Sequence, residues 1–78
     1  MIYNMYTIFD RVTTQYGEPF LAVSDETATR KFNYLMSNAP MVAGDCQLYK
    51  LGEFDNTTGD LVVIDKPLFI CNYEGGEH

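Results

Sequence analysis

The stretch Leu51–Pro67, LGEFDNTTGDLVVIDKP, decides how this chain folds. Its first apolar residues end at Phe54, and its second run is Leu61 to Ile64. Between them, Asp55-Asn56-Thr57-Thr58-Gly59-Asp60 is built of turn formers, with Gly59 supplying the left-handed residue that closes a hairpin of intermediate length. Two strands joined this way are antiparallel. Asp65-Lys66-Pro67 then breaks the second strand, because proline cannot donate to a ladder.

The same turn resembles a calcium loop only superficially. It lacks the alternating acidic ligands and the closing glutamate such a loop needs. Asp55 is read as bonding turn amides, and Gly52 and Gly59 as serving the backbone.

Working outward, Cys46 to Phe54 forms the first strand of the hairpin, and Leu68-Phe69-Ile70-Cys71 a short edge strand after the break. Met41 to Asp45 reads as a loop. Upstream, Ser24 is a helix N-cap, followed by Asp25 and Glu26, which suit the positive end of a helix dipole. Ala28, Phe32, Leu35, Met36 and Ala39 then fall on one helical stripe. The helix stops near Ser37-Asn38, because Pro40 disfavours helical geometry before it. Residues 2–13 are apolar on both parities, the pattern of a central or doubly covered strand. Thr13 to Pro19 is a turn region, and Phe20 to Val23 a second short strand. The order β-β-α-β-β predicts an α+β two-layer sandwich, one amphipathic helix on a sheet of four or five mainly antiparallel strands. Residues 1–72 form a single domain, and 73–78 read as a flexible tail.

A chain of 78 residues buries only roughly 60% of its unfolded surface, so a partner subunit is a natural supplement to its core. One helix covers one face of the sheet. Yet Tyr49 and Leu51 oppose Leu48 and Phe54 in parity, and Val62 and Ile64 oppose Leu61 and Val63. The uncovered face is therefore apolar, which predicts a homo-oligomer, a dimer first of all.

Composition narrows the chemistry. The formal charge is −6, and Arg11, Arg30, Lys31, Lys50 and Lys66 are the only basic residues apart from His78. Passive binding to DNA phosphates needs clustered cations. The single histidine is the last residue, so no Ser-His or Cys-His pair assembles, and no phosphate-binding glycine loop is present: Gly75-Gly76 lies in the tail. The carboxylates read as solvated surface charge, and no enzyme is expected. Cys46 and Cys71 lie outside any C-x-x-C pattern, so neither a metal nor a cofactor is expected. They admit a disulfide in an oxidising setting, or two small buried apolar residues. No basic leader and no membrane-length apolar run occurs, which predicts a soluble cytoplasmic protein without membrane contact. Single-stranded nucleic acid remains a candidate ligand. Tyr3, Tyr6, Phe9 and Tyr49 are available as ring platforms, with Arg11 and Lys50 as nearby cations. The alternative is that these rings are core or dimer contacts.

Several short patterns then carry a resemblance across roughly residues 3–70. They are G-x-P-F at Gly17 to Phe20, D-x-x-A-x-R-x-F at Asp25 to Phe32, L-Y-x-L-G-x-F-D-x-x-T-G-x-L at Leu48 to Leu61, and Pro67 beyond. In this order and spacing the chain resembles the small non-structural protein of gokushoviruses, single-stranded DNA bacteriophages of the Microviridae. The resemblance implies an accessory protein of the infected bacterial cytoplasm, absent from the capsid. It also implies DNA binding or a part in the switch toward single-stranded genome synthesis and packaging. The first expectation is therefore an accessory protein that binds single-stranded DNA through its aromatics, or binds the viral replication initiator or a host replication protein. A protein-interaction module without DNA contact is the other expectation. The resemblance assigns no functional residues.

Overall fold

A computed structural model describes residues 1–74. The elements are β1 (Ile2–Asp10), β2 (Gln15–Tyr16), β3 (Phe20–Ala22), α1 (Asp25–Ser37), α2 (Pro40–Ala43), β4 (Cys46–Asp55) and β5 (Leu61–Asn72). All pairings are antiparallel, in the order β2-β1-β4-β5, with β3 also on β1. β1 is thus the central strand its two-sided apolar pattern predicts. Its outer edge is shared: β3 takes Asn4 to Tyr6, and β2 takes Phe9 and Asp10.

The class is α+β, but the packing is not that of two flat layers. The sheet curls into a half-barrel with α1 against one face. Bulges supply a physical reason, since an extra residue on one strand bends it and increases local twist. Met5 faces Gly52 while Tyr6 faces Lys50, leaving Leu51 extra on β4. On β5, Ile70 is extra between Phe69 and Cys71, and Ile64 to Pro67 have no register partner on β4. The expected break at Asp65-Lys66-Pro67 is therefore a wide bulge in one continuous strand, and no separate fifth strand begins at Leu68. Two further elements differ from the sequence reading. Gln15–Tyr16 pairs with the end of β1, and the expected loop after Pro40 begins with a single helical turn. Proline at the first helical position has its φ preset and forfeits only a donor that lacks a partner there.

α1 begins and ends where its signals put it. The Ser24 hydroxyl accepts from the Thr27 N–H at 3.1 Å, and Asn38 and Ala39 close the last turn onto Leu35 and Met36. Ala28, Phe32 and Met36 are buried against Tyr6, Ala22, Cys46 and Leu48. Leu35, read as part of the stripe, is exposed at its edge. The tail assignment for residues 75–78, with Gly75, Gly76 and His78, lies outside the described residues. Tyr73 packs against the core, and the Glu74 N–H donates to Asn33 Oδ1 at 3.4 Å.

Candidate functional site

Register divides the sheet into two faces. Leu48 opposes both Ile8 and Cys71, Tyr6 lies two residues from Ile8 on β1, and all four belong to or pack against the core under α1. Alternation sends Met5, Thr7 and Phe9 to the other face. Tyr16 opposes Phe9, Tyr49 opposes Thr7, and Phe69 opposes Tyr49, so all three rings join Phe9 there.

The result is a row of four rings crossing β2, β1, β4 and β5. Centroids are 4.6 Å apart for Phe9–Tyr16 and 5.8 Å for Phe9–Tyr49, Tyr16–Tyr49 and Tyr49–Phe69. The three longer contacts are edge-to-face, the geometry ring quadrupoles favour. The end rings are the most open, Tyr16 at 50% and Phe69 at 45% exposure.

Local bonds hold the row in place. Thr7, almost fully buried, donates its hydroxyl to the Gly17 carbonyl at 2.8 Å, and the Gly17 N–H donates to the Ile8 carbonyl at 2.8 Å. Together they fasten the segment carrying Tyr16 beside Phe9. The Tyr49 hydroxyl donates to Gln47 Oε1 at 3.2 Å, and Gln47 Nε2 donates to Asn72 Oδ1 at 3.0 Å. That chain of bonds orients the Tyr49 ring.

The sequence-predicted residues divide accordingly. Phe9 and Tyr49 form the centre of the row. Tyr3 shares their face but sits opposite Phe54, farther along the sheet. Tyr6 lies on the α1 face, fully buried, its hydroxyl donating to Asp25 Oδ1 and accepting from Asn4 Nδ2 at 3.1 Å. Arg11 Nη2 donates to the Gly44 carbonyl at 2.6 Å, so its guanidinium ties down the turn before β4. Lys50 opposes Tyr6 and Leu68, on the face away from the row. Arg30 and Lys31 are on α1, with Lys31 Nζ 4.7 Å from the Phe20 ring centre. Lys66 is in the β5 bulge. No basic residue therefore has a paired strand position on the aromatic face. Sequence reasoning missed Tyr16 and Phe69. A two-residue strand has no periodicity to detect, and Phe69 becomes legible only once β5 is seen to continue past Pro67.

A family model described as phage ORF5 protein matches residues 3–75. The chain belongs to the phage ORF5 family. No curated protein and no solved structure matches it.

In this ORF5 chain, no group of three or more His, Cys, Asp or Glu side chains among the described residues is placed to hold a metal. No described helix is long and apolar enough to cross a membrane. Cys46 and Cys71 are free thiols on the α1 side of the sheet. Burial raises both above the ordinary thiol range.

Tyr6 offers a pH test of the packing beneath the row. Burial, then its bond to Asp25, pushes its phenol up to about 12. A raised acid pKa means the fold favours the neutral phenol. Below about pH 10 the phenol is neutral in both states, so its contribution is complete. It is lost as pH rises from there through about 12. We expect roughly 2–3 kcal/mol of stability to disappear over that interval. Urea midpoints measured across alkaline pH check this, and Tyr6→Phe should flatten the decline. An unchanged slope in the variant would refute the assignment.

Proposed function

We propose that this protein is a non-enzymatic accessory protein of a gokushovirus-type phage, acting in synthesis of the single-stranded viral genome by holding unpaired bases against its aromatic row. The observation that carries this reading is the run Tyr16–Phe9–Tyr49–Phe69 on the sheet face opposite α1. Every base has a π-face, so a ring platform accepts single strands without reading sequence. Duplex DNA buries those faces in its own stack and is not expected to compete.

The charge distribution shapes the binding. With no basic residue paired on this face, stacking supplies the affinity and few counterions are released. The salt dependence of binding should therefore be shallow, a slope of about −1 or less steep in log K against log salt. Titrating labelled single-stranded DNA at two salt concentrations measures it. Tyr16→Ala and Phe69→Ala each remove an exposed ring and should weaken binding about 5- to 150-fold. Lys50→Ala, on the opposite face, should change it little. Absence of binding at tens of micromolar protein overturns the DNA reading.

The acidic charge and the absence of a basic residue at a paired strand position on this face favour a second reading, in which the same face docks a viral replication initiator or host replication protein. In that case DNA fails to bind at either salt concentration, while Tyr16→Ala and Phe69→Ala weaken capture of the purified partner.

A further inference from the structure

The aromatic row does not account for the far end of β5. Among the described residues, β5 is the last strand of the sheet and pairs only with β4. Leu61, Val62 and Val63 are 55%, 62% and 66% exposed, and Ile64 continues the run. Consecutive strand residues point to opposite faces. Four exposed apolar residues in succession therefore mean that neither face is covered here. Ile70 and Cys71, at the other end of the strand, pack against the α1 core. The hairpin formed by the ends of β4 and β5 thus stands clear of the helix. Edge strands are commonly guarded by charge, proline or a bulge. Asp65, Lys66, Pro67 and the bulge that begins at Ile64 occupy the second half of this edge, while Leu61 to Val63 carries no charge, proline or bulge.

We propose that this edge pairs antiparallel with the same edge of a second copy, about a two-fold axis at Val63. The sequence selects the register. Centred on Val63, Val62 meets the partner's Ile64, Leu61 meets the partner's Asp65, and Asp60 meets the partner's Lys66. Symmetry makes that opposite-charge pair twice. The two-fold axis allows only slips that keep every side chain on its own face, and the nearest of these set Asp60 against the partner's Ile64 or Leu68, losing both opposite-charge pairs. The segment is bounded symmetrically as well. Gly59 ends the turn at φ 81°, and Pro67, which would face the partner's Gly59, has no N–H to extend the ladder. Ile64 to Lys66 have no register partner on β4, so the incoming strand displaces no ladder position there. The resulting sheet runs continuously through both copies. Antiparallel neighbours are related by an axis normal to the sheet, so both aromatic rows emerge on the same side.

The test uses the full chain without DNA, so it stands apart from the nucleic-acid reading. Light scattering across a concentration series should give twice the 8.9 kDa chain mass. Lys66→Asp opposes like charges at both ends and should raise the dimer dissociation constant at least about 10-fold. The double exchange D60K/K66D restores opposite charges and should recover most of that loss. Val63→Lys, at an exposed position, should give a folded monomer by circular dichroism. Tyr16→Ser, at the opposite edge of the sheet, should leave the dimer intact. A monomer at submillimolar concentration overturns the proposal. So does a dimer indifferent to charge reversal, or one abolished by Tyr16→Ser, which would place the second copy on the aromatic face.

Discussion

Phe32→Ala should bring this protein close to unfolding. Phe32 is fully buried, at the point where α1 meets Tyr6, Leu48 and Cys46. Truncating a buried phenylalanine costs about 3–5 kcal/mol, the sum of lost transfer energy and the cavity left behind. The site has little means of collapsing around the gap. Only one long helix covers this face, and the curled sheet below is fixed by its ladders. Stability scales at about 0.05–0.15 kcal/mol per residue, roughly 4–12 kcal/mol for 78 residues, so the expected loss removes a large part of it. In urea the midpoint should fall by roughly 2 M or more at unchanged slope. Tyr34→Ala is the control. Tyr34 lies on the same helix at 67% exposure, and its removal should stay within about 0.5 kcal/mol. Equal losses for the two variants would mean that α1 does not anchor the fold.

That anchor was legible in the sequence because it rests on local rules. Ser24, the two acids after it and the spacing of Ala28, Phe32 and Met36 all point to one helix with one buried face. The central position of β1 follows equally from its two-sided apolar pattern. What escaped notice depends on where strands come to lie relative to each other. Pro67 reads as a break in any local window, yet β5 carries it in a bulge because Leu68, Phe69, Cys71 and Asn72 find partners on β4 beyond it. Tyr16 reads as turn residue until Gly17 is seen fastened to Thr7 and Ile8. The candidate site inherits this division. Its centre, Phe9 and Tyr49, came from strand parity, while its ends, Tyr16 and Phe69, required the register. Tyr6 has the composition of a site residue and the position of a core residue, and composition does not distinguish the two.

Gly52→Ala should open the β4–β5 hairpin beyond the helix while leaving the α1 core folded. A Cβ at Gly52 would stand 2.1 Å from the Val62 carbonyl oxygen and 2.9 Å from Val63 Cα. Both obstacles are backbone, so no side-chain rotation relieves the clash, and the two strands must separate. Overpacking of this severity costs about 3 kcal/mol. The loss need not become global unfolding. The ladder from Gly52 to Phe54 against Leu61 to Val63 lies at the far end from Phe32 and Leu48. Amide exchange should therefore accelerate at Glu53 and Val62, the bonded pair of this ladder, while Leu48 and Phe32 keep their protection. Gly44→Ala supplies the contrast. No atom lies within 4 Å of a Cβ there, and φ is −69°, so the change should be neutral or slightly stabilising. If Gly52→Ala behaved like Gly44→Ala, the close approach of the two strands would be refuted. If it unfolded the whole chain, the hairpin and core would be one cooperative unit. The predicted outcome lies between. The glycine that the sequence marks only as serving the backbone is what lets β5 lie close enough to β4 to carry Leu61, Val62 and Val63 as an ordered edge, and Gly52→Ala should abolish the proposed pairing of two copies together with that order.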